Sequence, residues 1–156
     1  MSKGHRGYIA SRPVRGTSTP QRVQNLVVRD YARRRGLTYL LSATEYAMPG
    51  CTMVLENLLA ELPRLDGIIC FSIFMLPPEP ERRAAIYARI LAAGATFHAA
   101  LENLSLSSAS DVGPLEDLIA SALLLPEVPF AGRYEKAEQS LLEQGGAFAR
   151  ALHLED

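Results

Sequence analysis

The stretch TYLLSATEYAMPGCTMVLENLLAELPRLDGIICFS, residues 38–72, decides the fold. Thr38-Tyr39-Leu40-Leu41-Ser42 is rich in residues that suit a pleated sheet and predicts a strand. Ala43 to Gly50 reads as a loop, because it ends in Pro49-Gly50. From about Thr52 to Leu62, apolar residues recur at Val54, Leu55, Leu58, Leu59 and Leu62, the spacing of one helix face. Asp66-Gly67 then turns the chain into Ile68-Ile69-Cys70-Phe71-Ser72, a short apolar run that predicts a second strand. Strand, helix and strand, with strands apolar throughout, is the pattern of a parallel sheet covered on both faces.

The same alternation extends outward. Gly7-Tyr8-Ile9-Ala10-Ser11 reads as a strand ended by Arg12-Pro13. After a turn-rich stretch, Thr19 is placed to cap a helix with Pro20 at its first position. Val23, Leu26, Val27, Asp30 and Tyr31 fall on a largely apolar face of that helix, and Gly36 closes it. Pro77, Pro78 and Pro80 precede a helix through Arg82-Arg83 to Ala93. Thr96 to Leu101 is the fourth strand, and Leu115 to Leu125 is helical. A last helix is expected from Tyr134 to Leu152, weakened at Gly145-Gly146. The expectation is a single α/β domain over residues 1–156, its core at about 6–125 and a C-terminal helical extension at about 130–152. Its mainly parallel four-stranded sheet lies in a three-layer arrangement between helices.

Composition narrows the class. A length of 156 residues corresponds to about one domain. Cys51 and Cys70 have no close cysteine or histidine partner, so neither a metal site nor a disulfide framework is expected. No apolar run approaches the ~18–20 residues of a membrane span. The polar start, Met1 to Gly7, leads into no signal-peptide core, so a cytoplasmic protein is expected. There is no G-x-G-x-x-G and no phosphate loop, and no cofactor is expected. The formal net charge is −1, yet residues 1–36 hold nine basic residues against Asp30 alone, a local +8, which leaves −9 for the remainder. Such asymmetry favours an anion near the N-terminal third. Arg33-Arg34-Arg35 also complements the negative end of a helix dipole, which requires no ligand.

In open parallel sheets, ligands bind beyond the carboxyl ends of the strands. That rule selects Ser11 and Arg12 after the first strand, Ser42, Thr44, Glu45 and Tyr46 after the second, Ser72 after the third, and Glu102 and Asn103 after the fourth. Arg12 has the planar fork that clamps a phosphate or carboxylate. Glu45 and Glu102 are the candidate proton-transfer pair, with Tyr46 beside them; either carboxyl would need desolvation to raise its pKa. Pairing with an arginine would lower it instead. The serines serve ligand hydroxyls or strand-end backbone groups. Asn25 and Arg29 share a helix face that points into the same pocket or across a subunit interface. His98, within a strand, reads as a satisfied core histidine.

Two resemblances follow from these segments. Arg6 to Pro13, Gln24-Asn25 with Arg29-Asp30-Tyr31, Tyr39 to Met48, Asp66 to Ile69 and Glu102 to Leu104 resemble a small family of sporadic carbohydrate cluster proteins, over about residues 6–106. That resemblance implies a carbohydrate or nucleotide-sugar setting and assigns no catalytic residue. The layout is also similar, more distantly, to the catalytic domain of resolvase-type serine recombinases. Those begin with a Tyr-Ala-Arg-Val-Ser strand, where this chain has Tyr8-Ile9-Ala10-Ser11-Arg12. They place Leu-Asp-Arg-Leu after the third strand, where this chain has Ser72-Ile73-Phe74-Met75-Leu76. The groups that would balance charge on a scissile phosphate are missing, so the match implies a resolvase-like or flavodoxin-like fold without the activity.

The resulting expectation is a small enzyme acting on an anionic sugar or nucleotide sugar. Glu45, Glu102 and Tyr46 would handle protons in an isomerase, epimerase or lyase, or would serve glycosyl transfer or hydrolysis. Ser11, Arg12, Ser42, Thr44, Ser72, Asn103, Asn25 and Arg29 would bind substrate. A homo-oligomer is expected, with no membrane or nucleic-acid partner. The alternatives are a non-catalytic sugar-binding or assembly protein and, ranked below it, a resolvase-like domain that binds DNA through residues 12–35.

Overall fold

A computed structural model describes residues 2–125 of the chain. The expected helix at 134–152 lies outside the described residues. Every strand and helix named below belongs to one compact unit, described over residues 2–14 and 18–125.

Five strands, β1 (His5–Ala10), β2 (Tyr39–Glu45), β3 (Gly67–Cys70), β4 (Thr96–Ala99) and β5 (Leu104–Leu106), form one sheet in the order β2-β1-β3-β4-β5. The first four are parallel, as expected, and β5 is antiparallel to β4. The fifth strand was not expected. Asn103 takes a left-handed φ of 56° and reverses the chain, and three residues are too few for periodicity to reveal a strand. Among the described residues four α-helices accompany the sheet: α1 (Gln21–Arg35), α2 (Met53–Glu61), α3 (Pro80–Ala92) and α4 (Val112–Leu124). Among the described residues no helix is long and apolar enough to cross a membrane.

Sheet register sorts the side chains. His5, Gly7 and Ile9 share a face with Ile69, Thr96 and His98, and also with Ser42 and Thr44 of β2. Helix α1 covers that face: its Tyr31 hydroxyl bonds His98 Nδ1 at 2.8 Å. Tyr8, Ala10 and Glu45 lie on the opposite face, where Glu45 meets the start of α2. Arg89 of α3 bonds Glu56 of α2, and Glu116 of α4 accepts from Arg83 and Tyr87 of α3, so these three helices are tied together. The core contains Tyr8, Ile9, Ile68, Ile69, Ile90, Phe97 and Leu106, all essentially without solvent contact. Each such side chain contributes roughly 1.5–3 kcal/mol of burial.

Two local departures bear on function. Strand β2 runs through Ala43, Thr44 and Glu45, which the sequence places in a loop, because each pairs with β1. Pairing passes from His5–Tyr39 to Gly7–Ser42, so β2 carries one extra residue, a bulge on the edge strand. The Arg6 guanidinium secures it, donating to the Leu41 carbonyl at 2.8 Å and to Glu61 at 2.8 Å. Helix α1 starts one residue later than expected: Pro20, not Thr19, is its cap, and no side chain caps the first turn. At its other end Gly36 takes φ 66°, and the Leu37 N–H returns to the Ala32 carbonyl at 2.8 Å.

Candidate nucleic-acid interface

The expected site at the carboxyl edge of the sheet is divided among separate structural duties. Glu45 is fully buried, and its carboxylate accepts from the Tyr8 hydroxyl at 2.7 Å. It also accepts from the N–H groups of Tyr46, Val54 and Leu55 at 3.1, 3.2 and 3.0 Å. Burial alone would raise its pKa. The Tyr8 hydroxyl and the three backbone donors outweigh that, and the carboxyl titrates below its ordinary range. The raised pKa that an acid catalyst would need is therefore absent at Glu45. The group anchors the first turn of α2 to the end of β2.

Arg12 completes the same anchor. Its Nη1 donates to the carbonyls of Tyr46, Met48 and Cys51 at 3.3, 3.1 and 2.8 Å, stitching the β2–α2 loop to the end of β1. Tyr46 is half exposed and takes part through its backbone. Ser11 is exposed and accepts from Gln21 at 3.3 Å. Gln24 has all its hydrogen-bonding groups engaged at this edge, accepting from the Ala10 N–H and donating to the carbonyls of Ala10 and Thr19.

Glu102 serves a different set of atoms. It accepts from the Ser72 hydroxyl at 2.5 Å and from the Ile73 N–H at 3.1 Å, while the Ser72 oxygen accepts from Phe74 N–H at 3.2 Å. The two glutamates share no partner. Ser42 bonds the Tyr39 hydroxyl at 2.7 Å, and with Thr44 it lies on the α1 face, across the sheet from Glu45. Asn103 is exposed and accepts from Arg35 at 3.1 Å. Asn25 is partly buried, with its Oδ1 lacking a hydrogen-bond partner, and Arg29 is exposed. The structure thus joins Arg12, Glu45 and Tyr46 in one cluster and Ser72 and Glu102 in another. Ser42, Thr44, Asn25, Asn103 and Arg29 stand elsewhere.

A second concavity lies between α1 and β2. It is open to solvent, has a volume of about 680 Å³ and is lined by Leu26, Arg29, Asp30, Arg33, Leu37 and Tyr39. Arg29 stands over the Tyr39 ring with its guanidinium carbon 5.8 Å from the centroid. Asp30 accepts from Arg33 at 2.8 Å and from Arg34 at 2.7 Å, and these two bonds hold its pKa below the ordinary value. Arg35 is stacked on Tyr31, 5.0 Å from the ring centre. Within the described ion pairs, Arg22 and Arg29 have no acidic partner. Helix α1 carries five arginines and one aspartate, a net +4 on fifteen residues. Sequence reasoning named Arg29 but missed Tyr39, Leu26, Arg33 and Leu37 as its companions. The signal available was the +8 of the first 36 residues; what joins Tyr39 to α1 is packing.

No protein-family model matches the sequence, and no curated protein matches it. Solved structures do. The N-terminal catalytic domain of TP901-1 integrase superposes with a TM-score of 0.53 at 15% identity, over 75% of this chain and 92% of that one. A resolvase family site-specific recombinase from Streptococcus pneumoniae superposes with a TM-score of 0.53 at 8% identity, over 96% of this chain and 99% of that one. The fold is resolvase-like. At these identities the likeness concerns the fold.

These neighbours correct two expectations. The chain was expected to be a carbohydrate or nucleotide-sugar enzyme, or a sugar-binding protein, yet the structures that share its architecture are recombinase catalytic domains. The expected anionic sugar partner and the exclusion of nucleic acid are overturned by the same finding. The physical reason is visible at the sheet edge, where Arg12 and Glu45 are consumed by loop and helix anchoring.

Proposed function

We propose that this protein is a resolvase-fold domain that binds nucleic acid through α1 and does not cut it. The observation that carries the reading is the arginine face of α1, where Arg22 and Arg29 lie seven residues apart, two helical turns, without acidic partners among the described residues. Exposed guanidinium groups in a row, free of carboxylates, are what a phosphate backbone recruits. The structural neighbours, an integrase catalytic domain and a site-specific recombinase, support the same class of ligand.

Cleavage has no comparable support. Strand cleavage by a serine needs cations preorganised around the scissile phosphate. Ser11 is exposed, but the nearby Arg12 has its Nη1 committed to three carbonyls. After β3 the chain presents Ser72-Ile73-Phe74-Met75-Leu76, which has no cation and is largely buried. The resemblance to sporadic carbohydrate cluster proteins, over about residues 6–106, stays a proposal, without the sugar chemistry.

Fluorescence anisotropy with labelled DNA tests the reading. Affinity should fall steeply with salt, and the double variant R22A/R29A should bind more weakly with a log–log salt slope smaller by roughly 1.4–1.8. Absence of binding at low ionic strength, or binding indifferent to salt, refutes it. Incubation with supercoiled plasmid should leave the plasmid intact; nicking abolished by Ser11→Ala would refute the non-cleaving part.

A further inference from the structure

We propose that the recess between α1 and β2 receives an unpaired base, so that the ligand is single-stranded nucleic acid. The inference rests on the reading of α1 as a phosphate-binding face and specifies what that face prefers.

The shape and lining of the recess separate two kinds of nucleic acid. A duplex hides its base faces in the stack and offers α1 only a ridge of phosphates. Arginines on a flat helix face would suffice for that. Here the arginines border an open concavity of about 680 Å³ whose lining includes the Tyr39 ring and two leucines, surface that phosphates alone would leave uncovered. The Tyr39 ring lines the recess beneath Arg29, and its hydroxyl bonds Ser42 at 2.7 Å. Leu26 is 60% exposed beside Arg22 and Arg29, and with Leu37 it provides apolar edges against which a base can pack. Arg29, its guanidinium carbon 5.8 Å from the ring centre, covers the Tyr39 ring itself; it is exposed, and it shifts to the adjoining phosphate when a base takes its place on the ring. Asp30 also lines the recess; Arg33 and Arg34 both bond it, leaving that wall cationic. An aromatic platform flanked by cations is the arrangement that holds single strands with little regard to sequence.

The test compares oligothymidylate, oligouridylate and a duplex of equal length by anisotropy at one salt concentration. The single strands should bind about tenfold more tightly than the duplex. Tyr39→Leu, which keeps apolar volume but removes the platform, should weaken single-strand binding about tenfold and leave duplex binding unchanged, as the loss of one base stack requires. Tyr39→Phe, which keeps the ring and loses the Ser42 bond, should bind single strands as the parent does. A difference between the thymidylate and uridylate arms tells which strand chemistry the recess takes. If single strand and duplex bind alike and Tyr39→Leu changes neither, the base site is refuted while the phosphate reading stands. If Tyr39→Leu weakens all ligands equally, with an unchanged melting temperature, the ring supports α1 rather than a base, and the proposal fails. If no nucleic acid binds at low ionic strength, the reading of α1 fails with it.

Discussion

A buried carboxylate is a hazard unless every lone pair is used, and Glu45 uses its lone pairs well. It accepts one phenolic and three backbone hydrogen bonds in a position with no solvent contact. Glu45→Gln is nearly isosteric but sets an amide NH₂ against N–H donors. It should lower stability by about 3 kcal/mol at neutral pH, measured by urea unfolding. The pH dependence has a definite sign. The folded pKa lies below the ordinary 4.5, so the contribution is complete above that value and disappears as pH falls through the lower folded pKa. The parent and the Gln variant should therefore converge in acid. A difference that persists at the lowest pH tested would mean that the charge is not what holds α2 to β2. Residue by residue, the sequence supplied the inventory of polar groups at the strand ends. It did not supply their assignments, because a glutamate that caps a helix and one that moves protons differ only in their neighbours.

At the scale of elements, close approach between strands is set by glycines. A Cβ at Gly67 would collide with the Thr96 carbonyl and hydroxyl across the β3–β4 pair. Because the obstacle includes backbone, the strands would have to part, and Gly67→Ala should cost roughly 1–3 kcal/mol. Chemical denaturation provides the check; an unaltered midpoint would show that the sheet yields freely there. Gly7 has a similar task opposite Ser42, whose hydroxyl a Cβ would meet. The leucines, prolines and glycines made the helices and parallel strands legible, since apolar spacing and breakers act within a few residues of chain. Three features were illegible for the converse reason. The three-residue β5 is shorter than any usable period. The β2 bulge depends on which residues of β1 lie opposite. The strand assignment of Ala43–Glu45 required pairing with β1, whereas the local sequence pointed to a loop.

At the scale of the whole molecule, the face beneath α1 holds a small polar cluster drawn from three elements, α1, β1 and β4. Tyr31 bonds His98 Nδ1 at 2.8 Å, Thr96 Oγ1 lies 2.9 Å from His98 Nε2, and the His5 ring meets the His98 ring edge-on with centroids 5.5 Å apart. Burial first, then the His5 and Arg35 charges, lower the His98 pKa from 6.5 to about 4. Burial also lowers that of His5, against the Thr38 carbonyl and Asp66, which raise it. The unfolded chain takes up the His98 proton near pH 6.5, whereas the folded chain refuses it until about pH 4. Stability is thus complete above 6.5 and falls between 6.5 and 4, by about 1.4 kcal/mol per pH unit for this group. His98→Phe should flatten that part of the stability–pH curve, as measured by thermal melts from pH 7 to 4. An equally steep curve in the variant would move the effect to other groups. The sequence reading of His98 as a satisfied core histidine agrees with its two hydrogen bonds.

Chain-local physics, namely apolar periodicity, proline and glycine punctuation and the crowding of nine cations into 36 residues, determined the α/β class, the four parallel strands and the basic character of α1. Tertiary structure alone decided which polar groups are free. It turned Arg12 and Glu45 inward as anchors and divided Ser42 and Thr44 from Glu45 across the sheet. It also set Tyr39 beneath Arg29. Those outcomes depend on register and helix docking, which bring together residues that are distant along the chain, and on the rule that a buried polar group must find its partner wherever the fold supplies one.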